Sequence, residues 1–416
     1  MHIVIINNKF PPNQGIGGRR MALLAKYLLE KGHIVSVICQ KPYSIHPSNE
    51  QWLSKEEQEK INYVFIKNKN YLNQSIFSNH FIAKLLTLLL RILFKILNKG
   101  NIYDSALFQQ NDVIAALVYF QQKQPIDWVI ASAAPFNLLY YAALFKKRFP
   151  KVKLCCDIRD PWLKNDNYGY QTLSTSRKEF EKDKMKFILE HAHIITSPHP
   201  SCLKEISELG NAPEKFKLIE HCFETSIINK DFQPTENPPK TEEHKINFVY
   251  AGTIYPKCEA YFQQLNSQLH IIQHDQPKLY NRLSISVYSD DCHKMQPNLK
   301  DHPIHFSPAI GKAISTPLME TDYIIIMVNE SMKDLFITKV FDYSVYEKPY
   351  AFIGPKGELL TMIRDKKIGW EMEHILHALM NESSYRPQCE TATFKAHFSY
   401  EKMGEKWMNI LSSSNL

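Results

Sequence analysis

Lys339, Asp342, Tyr343 and Tyr346 recur at helical spacing in "FITKVFDYSVYEKPYAFIGP", so they share one face of a short helix, with Phe341 and Val345 on the other. A carboxylate accepts two hydroxyl donors at once, which suits the vicinal diol of a ribose. An ammonium beside it suits a diphosphate. The bland alternative is a solvated ion pair at i,i+3. The flanking runs "DYIIIMVN" (322–329) and "PYAFIGP" (349–355) read as buried strands of a parallel sheet. These charges would then stand where open α/β sheets bind ligands, at a strand's carboxyl end. Asp334 lies in the intervening loop, eight positions before Asp342.

Three further stretches carry chemistry-bearing residues. "NQGIGGRR" places Gly15, Gly17, Gly18 and Arg19 in the turn between the first strand and the first helix. Glycines allow close backbone approach, and free N–H groups at a helix start suit anionic oxygens. The dinucleotide fingerprint is absent, because Arg20 takes the place of its last glycine, and so is the Walker lysine motif. An ordinary tight turn is the alternative. "CDIRDPW" ends a strand with Asp157, Arg159 and Asp160, a costly set unless paired or functional. An internal Arg–Asp ion pair and a ligand-facing role both fit. In "YAGTIYPKCE", Gly252 and Thr253 follow a strand, and Lys257 precedes a helix start where a diphosphate could bind. On its own, Lys257 is as well read as a surface lysine.

The elements that would position these residues alternate along the chain. "HIVIIN", a helix over 17–32, "HIVSVIC", "IDWVIAS", a helix over 136–148, "VKLCCDI", "AHIITSP" and "FKLIEH" read as one parallel α/β domain. "ETSIINKDFQPTENPPKTEEHK" is polar with three prolines and reads as a linker. The pattern then restarts with "INFVYAG", a helix near 259–272, "LSISVYS", "IHFSP" and the two strands above. The expected divisions are a first domain over 1–225, a linker over 226–245, a second domain over 246–390, and a C-terminal helix over 391–416.

The chain has 416 residues, 44% hydrophobic and 22% charged, as a soluble globular protein of two or three domains would. Its formal charge of +7 suits an anionic substrate or acidic membrane and is too diffuse to argue for nucleic acid. The eight cysteines form no C-x-x-C and no zinc spacing, and read as reduced thiols of a cytosolic protein. The start does not have a signal peptide's pattern. No apolar run reaches the ~20 residues that span a bilayer. "FIAKLLTLLLRILFKILNKG" (81–100) is almost wholly apolar apart from Lys84, Arg91, Lys95 and Lys99, which fall within ~80° on a helical wheel. An in-plane membrane helix with a basic stripe and a helix buried in the first domain are both open readings.

Taken in order, these pieces resemble a GT-B glycosyltransferase of family four. The resemblance runs through "FPP", the glycine turn, "LAKYLLEKGHIVSVI", "CDIRDPW", "SPHPSCLKEISELGNAPEKFKLIEHCFE", "FVYAGTIY", "METDYIII" and "TKVFDYSVYEKPYAFIGPKGELLTMIRDKKIGW". It implies two Rossmann-like domains facing a central cleft. The second would bind a nucleotide-diphosphate sugar and the first the acceptor, a lipid-linked or growing surface glycan. The last helix would return to the first domain. Transfer would retain anomeric configuration without a metal or other cofactor, and no nucleic-acid partner is implied.

The same resemblance assigns residues. The family's two acidic residues with seven between them fall on Asp334, for donor-sugar hydroxyls, and Asp342, for the ribose. Both are more often Glu in the family. Lys339, Gly252, Thr253 and Lys257 would complete the donor site, with Thr253 standing where Arg is usual. Arg159 and Asp160 occupy the place of a His-Asp pair near the sugar, with Asp160 orienting the acceptor hydroxyl. Gly15, Gly17, Gly18 and Arg19 would form the acceptor or phosphate loop. The implied location is the cytoplasm, with the stretch 81–99 touching the inner face of its membrane. The alternative is a nucleotide-sugar-binding protein of the same fold that has lost turnover.

Overall fold

The computed structural model describes all residues except 14, 43–51, 69–80, 164–168, 211, 224–243, 256, 292–302, 383, 386 and 414–416, and except the side chains of 81–87 and 259. The expected linker over 226–245 lies almost entirely outside the described residues. The chain forms two compact units, Met1–Glu220 with Tyr400–Leu416, and His221–Ser399.

The first unit is built on seven parallel strands: β1 (His2–Ile6), β2 (Ile34–Gln40), β3 (Asn62–Ile66), β4 (Trp128–Ala133), β5 (Lys153–Ile158), β6 (Ile194–Ser197) and β7 (Phe216–Leu218). Their order is β3-β2-β1-β4-β5-β6-β7. Central strands covered on both faces must be apolar nearly throughout; β1 and β4 are buried at every position. Edge strand β3 is only partly buried, which is why "NYVFI" gives a weak signal. The principal helices are α1 (Arg19–Glu30), α2 (Phe81–Leu97), α3 (Gln110–Lys123), α4 (Asn137–Arg148), α5 (Thr175–His191) and α6 (Pro200–Ser207).

The second unit has six parallel strands: β8 (Ile246–Ala251), β9 (Leu283–Tyr288), β10 (Ile304–Ser307), β11 (Tyr323–Met327), β12 (Tyr350–Ile353) and β13 (Gly369–Glu371), in the order β10-β9-β8-β11-β12-β13. Successive side chains of a strand point to opposite faces. Tyr323, Ile325 and Met327 of β11 therefore join Phe248 and Tyr250 in one core, while Ile324, Ile326 and Val328 join Phe341 and Phe352 in the other. Its helices include α7 (Glu259–Asp275), α8 (Thr338–Asp342), α9 (Glu358–Asp365), α10 (Met372–Asn381) and α11 (Thr391–His397).

The stretch read as one C-terminal helix is divided. Phe394 and Phe398 pack against Phe341 in the second unit, whereas α12 (Tyr400–Ser413) belongs to the first. There Gly404 meets the ring of Tyr27 so closely that a β-carbon would lie 2.2 Å from it. Both sheets are Rossmann-like. Strand order reverses at β1/β4 and again at β8/β11, and the crevices at the carboxyl ends of those pairs are where such sheets bind ligands.

Candidate functional site

The second switch point lies beside β8. Gly252 follows that strand with φ of 133°, a conformation that favours glycine. Space imposes a second demand: a β-carbon there would lie 1.9 Å from Lys339 Nζ. Lys339, in the first turn of α8, directs its ammonium over the Tyr250 ring, 5.0 Å from the centroid. Part of the residue remains accessible, but the nitrogen itself is covered and makes no hydrogen bond. Burial pushes its pKa down to about 8. A covered ammonium without hydrogen bonds is costly, and an anionic ligand would offset that cost.

Two phenols hold the turn around Gly252. Tyr343 Oη donates to the Ala251 carbonyl at 2.9 Å, and Tyr250 Oη donates to the Thr253 carbonyl. The Thr253 residue itself is exposed. Sequence spacing had put Tyr343 on the ligand face with Lys339; its hydroxyl instead serves the backbone of β8. The helix also changes character, because Tyr343–Tyr346 tightens into a 3-10 turn. Phe341 and Val345 are buried on the opposite side. Asp342 closes α8, half-buried among Tyr343, Tyr346 and Tyr350. Burial first, and then the Asp342 charge, raises the pKa of Tyr343 and Tyr350.

Asp334 serves a different element. Its Oδ1 accepts the backbone N–H of Glu358 at 3.0 Å, at the start of α9. This satisfies one of that helix's open donors and complements its dipole. Gly357 makes room, since a β-carbon there would lie 2.7 Å from the same oxygen. Lys257 is exposed, with φ of 69°, two residues before α7. Gly252, Thr253 and Lys339 thus come together at the end of β8, and Asp342 closes the helix that carries Lys339. Among the described residues, no group of three or more His, Cys, Asp or Glu could hold a metal ion.

In the first unit, the three charges of "CDIRDPW" divide into two roles. Asp157 is fully buried and accepts from Arg20 Nε at 3.2 Å, Ser132 Oγ at 2.9 Å and Thr196 Oγ1 at 2.8 Å. Arg20 also donates to the Glu220 carbonyl at 2.7 Å and lies over the Trp407 ring. Arg159 and Asp160, beyond the strand end, are partly exposed and paired, with Nη2 to Oδ2 at 3.0 Å. Arg159 Nη1 also donates to the Gly17 carbonyl, which joins the glycine turn to this pair.

That contact accounts for Gly17, and a neighbouring carbonyl accounts for Gly18. A β-carbon on Gly17 would lie 2.8 Å from Arg159 Nη1, and one on Gly18 would lie 2.0 Å from the Lys9 carbonyl oxygen. Gly15 has φ of 109° with nothing nearby, and Arg19 is buried at the start of α1. His199 joins this group although sequence reasoning did not single it out. It precedes α6 and is 4% exposed. Its pKa falls to about 4, chiefly through burial, while the charge of Asp160 and the Arg159 backbone oppose the fall. The available signal was topological. β5 and β6 are neighbours, with Asp157 opposite Thr196, so Asp160 and His199 leave adjacent strands at one end.

No protein-family model matches the chain, and no curated protein matches it by sequence. Solved structures do match along its whole length. Anabaena Alr3699/HepE in complex with UDP and glucose aligns with a TM-score of 0.58 at 12% identity, over 99% of this chain and 100% of that chain. The lipopolysaccharide outer core galactosyltransferase WaaB, in its apo form, aligns at 0.57 and 11%, over 99% of each. The catalytic domain of starch synthase IV from Arabidopsis thaliana, bound to ADP and acarbose, aligns at 0.59 and 12%, over 100% of this chain and 99% of that one. The two parallel Rossmann-like sheets are therefore those of the GT-B glycosyltransferase fold. At the level of the fold, these matches agree with the GT-B resemblance that the sequence motifs carry.

Proposed function

We propose that this protein is a retaining, metal-independent glycosyltransferase that moves a sugar from a nucleotide-diphosphate sugar to a lipid-linked or growing surface glycan. The observation that carries the reading is the covered ammonium of Lys339 over Gly252, at the switch point of the second sheet. A diphosphate there would receive the Lys339 charge at close range, supplemented by Lys257 and the start of α7. Asp342 would accept the two ribose hydroxyls, and Asp334 would hold the donor sugar. HepE and starch synthase IV were solved with UDP and ADP, which supports a nucleoside diphosphate as the ligand class.

In the proposed reaction, the bond between the anomeric carbon and the leaving phosphate oxygen breaks. The acceptor oxygen bonds to the same face of that carbon, and its proton passes to the departing phosphate. No strong protein base is then needed. Asp160, held by Arg159, would orient the acceptor hydroxyl, and Gly15, Gly17, Gly18 and Arg19 would form the wall of the acceptor site. A lipid-linked acceptor would place the enzyme on the cytoplasmic side of a membrane.

A second reading keeps the donor site but not turnover. It is favoured by Asp334, whose carboxylate is engaged by the N–H of Glu358. Release of nucleoside diphosphate from a panel of nucleotide sugars separates the two. Turnover without acceptor supports the transferase. A rise in melting temperature with no release supports the binding protein. No response to any nucleotide sugar removes both.

A further inference from the structure

Helix α2 presents an apolar surface to solvent. Leu88, Leu89, Ile92, Leu93, Ile96 and Leu97 are all exposed, Ile96 to 75%. At 3.6 residues per turn they span an arc of ~180°. The opposite side carries Phe94, which is buried and packs edge-to-face on Phe108 at 4.7 Å. The helix is also tied down at its end. Arg177 of α5 donates to the carbonyls of Asn98 and Gly100, both at 2.7 Å, and of Lys95. The exposed arc is therefore a fixed surface of the first unit.

Charge identifies what covers it. Arg91 and Lys95 border the arc on one side, and Lys99 follows the helix end; Lys95 and Lys99 are exposed. No Asp or Glu occurs between Phe81 and Tyr103. A second copy laid on this face would bring cations without supplying acidic partners, whereas an anionic bilayer supplies both hydrocarbon and negative headgroups. No helix among the described residues is long and apolar enough to cross a membrane. We infer that α2 lies in the plane of an anionic lipid surface, with the Leu88–Leu97 arc in the acyl boundary and its basic border at the headgroups. The inference concerns the first unit and stands independently of the donor site.

Co-sedimentation of the full chain with vesicles of phosphatidylglycerol and phosphatidylcholine in equal parts tests it. At low salt the protein should pellet with these vesicles about tenfold more than with phosphatidylcholine alone, and salt should weaken the binding. Leu93→Glu with Ile96→Glu should abolish binding, and Arg91→Gln with Lys95→Gln should weaken it about tenfold. Ile96→Trp should bind at least as well, with its fluorescence shifted to the blue by anionic vesicles. Wild type left in the supernatant at low salt, or no blue shift for Ile96→Trp, overturns the inference. So does a dimer in sedimentation velocity that Ile96→Glu converts to monomer without any vesicle binding, because the occupant would then be a second copy. Calorimetry with nucleoside diphosphates should give the same affinity for all these variants, which keeps this test apart from that of the donor site.

Discussion

The ammonium of Lys339 occupies the space that a β-carbon on Gly252 would need, with the two positions only 1.9 Å apart. Gly252 cannot gain a side chain without displacing the ammonium. Gly252→Ala should therefore cost about 1–3 kcal/mol of stability by overpacking, with a further penalty from its positive φ. It should also weaken nucleoside diphosphate binding, because the ammonium must move. Thermal unfolding and calorimetry on the same preparation check both parts. A variant with unchanged affinity would show that Lys339 does not contact the ligand.

Lys339 gives the site a pH dependence. Its folded pKa of about 8 lies below the ordinary lysine value, so the unfolded chain holds this proton more tightly than the native one. The resulting destabilisation is fully present below pH 8 and is relieved as pH rises toward the ordinary value. Binding has the opposite sign. A diphosphate favours the charged ammonium, so affinity should fall above about pH 8, with proton uptake on binding near that pH. Calorimetry in buffers of different ionisation enthalpy reads the uptake, and Lys339→Met should abolish it.

Asp342 should act on affinity. Asp342→Ala would leave two ribose hydroxyls without acceptors, a loss of about 1–3 kcal/mol, or roughly fivefold to 150-fold in Kd. The deoxy-ribose nucleotide should lose less on going from wild type to variant than the ribose form does. Equal losses for the two ligands would remove the ribose assignment.

The two aspartates of "CDIRDPW" should separate by experiment. Asp157→Ala leaves Arg20 buried without its counter-charge, which costs about 3–5 kcal/mol for a broken buried pair. Asp160→Asn, at a partly exposed position, should leave the unfolding midpoint nearly unchanged and reduce transfer to the acceptor. Urea unfolding and a transfer assay distinguish these outcomes.

His199 should contribute to acid sensitivity. Its folded pKa of about 4 lies below the ordinary histidine value, so the unfolded chain takes up the proton first as pH falls. Stability should decline from about pH 6.5 down to about 4. His193, lowered to about 4 by burial and then by Lys146, Lys153 and Lys215, adds a decline of the same sign. His199→Gln should flatten part of the urea midpoint's fall across that window.

Much of the fold was legible because its signals are local. Runs such as "HIVII" and "YIIIM" are apolar at every position, which a parallel strand covered on both faces requires. Glycines and prolines between them marked the turns, so the alternation of strands and helices could be read directly. Edge elements were harder to read. β3 and β13 are short and partly buried, and carry little periodic contrast.

The site was legible as residue types at strand ends, while their partners were not. Sequence spacing treated Asp157, Arg159 and Asp160 as one charged set. Only the tertiary fold brings Arg20, 137 positions away, onto the buried Asp157, and leaves Arg159 and Asp160 partly exposed. An internal ion pair and a ligand-facing role were both open readings of this stretch; the fold buries Asp157 against Arg20 and leaves Arg159 and Asp160 paired with each other. Likewise, Gly17 meets Arg159 across 142 positions because strand order brings both loops to one end of the sheet. The amino-acid pattern determined which segments are strands and which residues carry charge. Tertiary structure decided which charges are buried and with what partner, because that depends on contacts between segments that no local periodicity encodes.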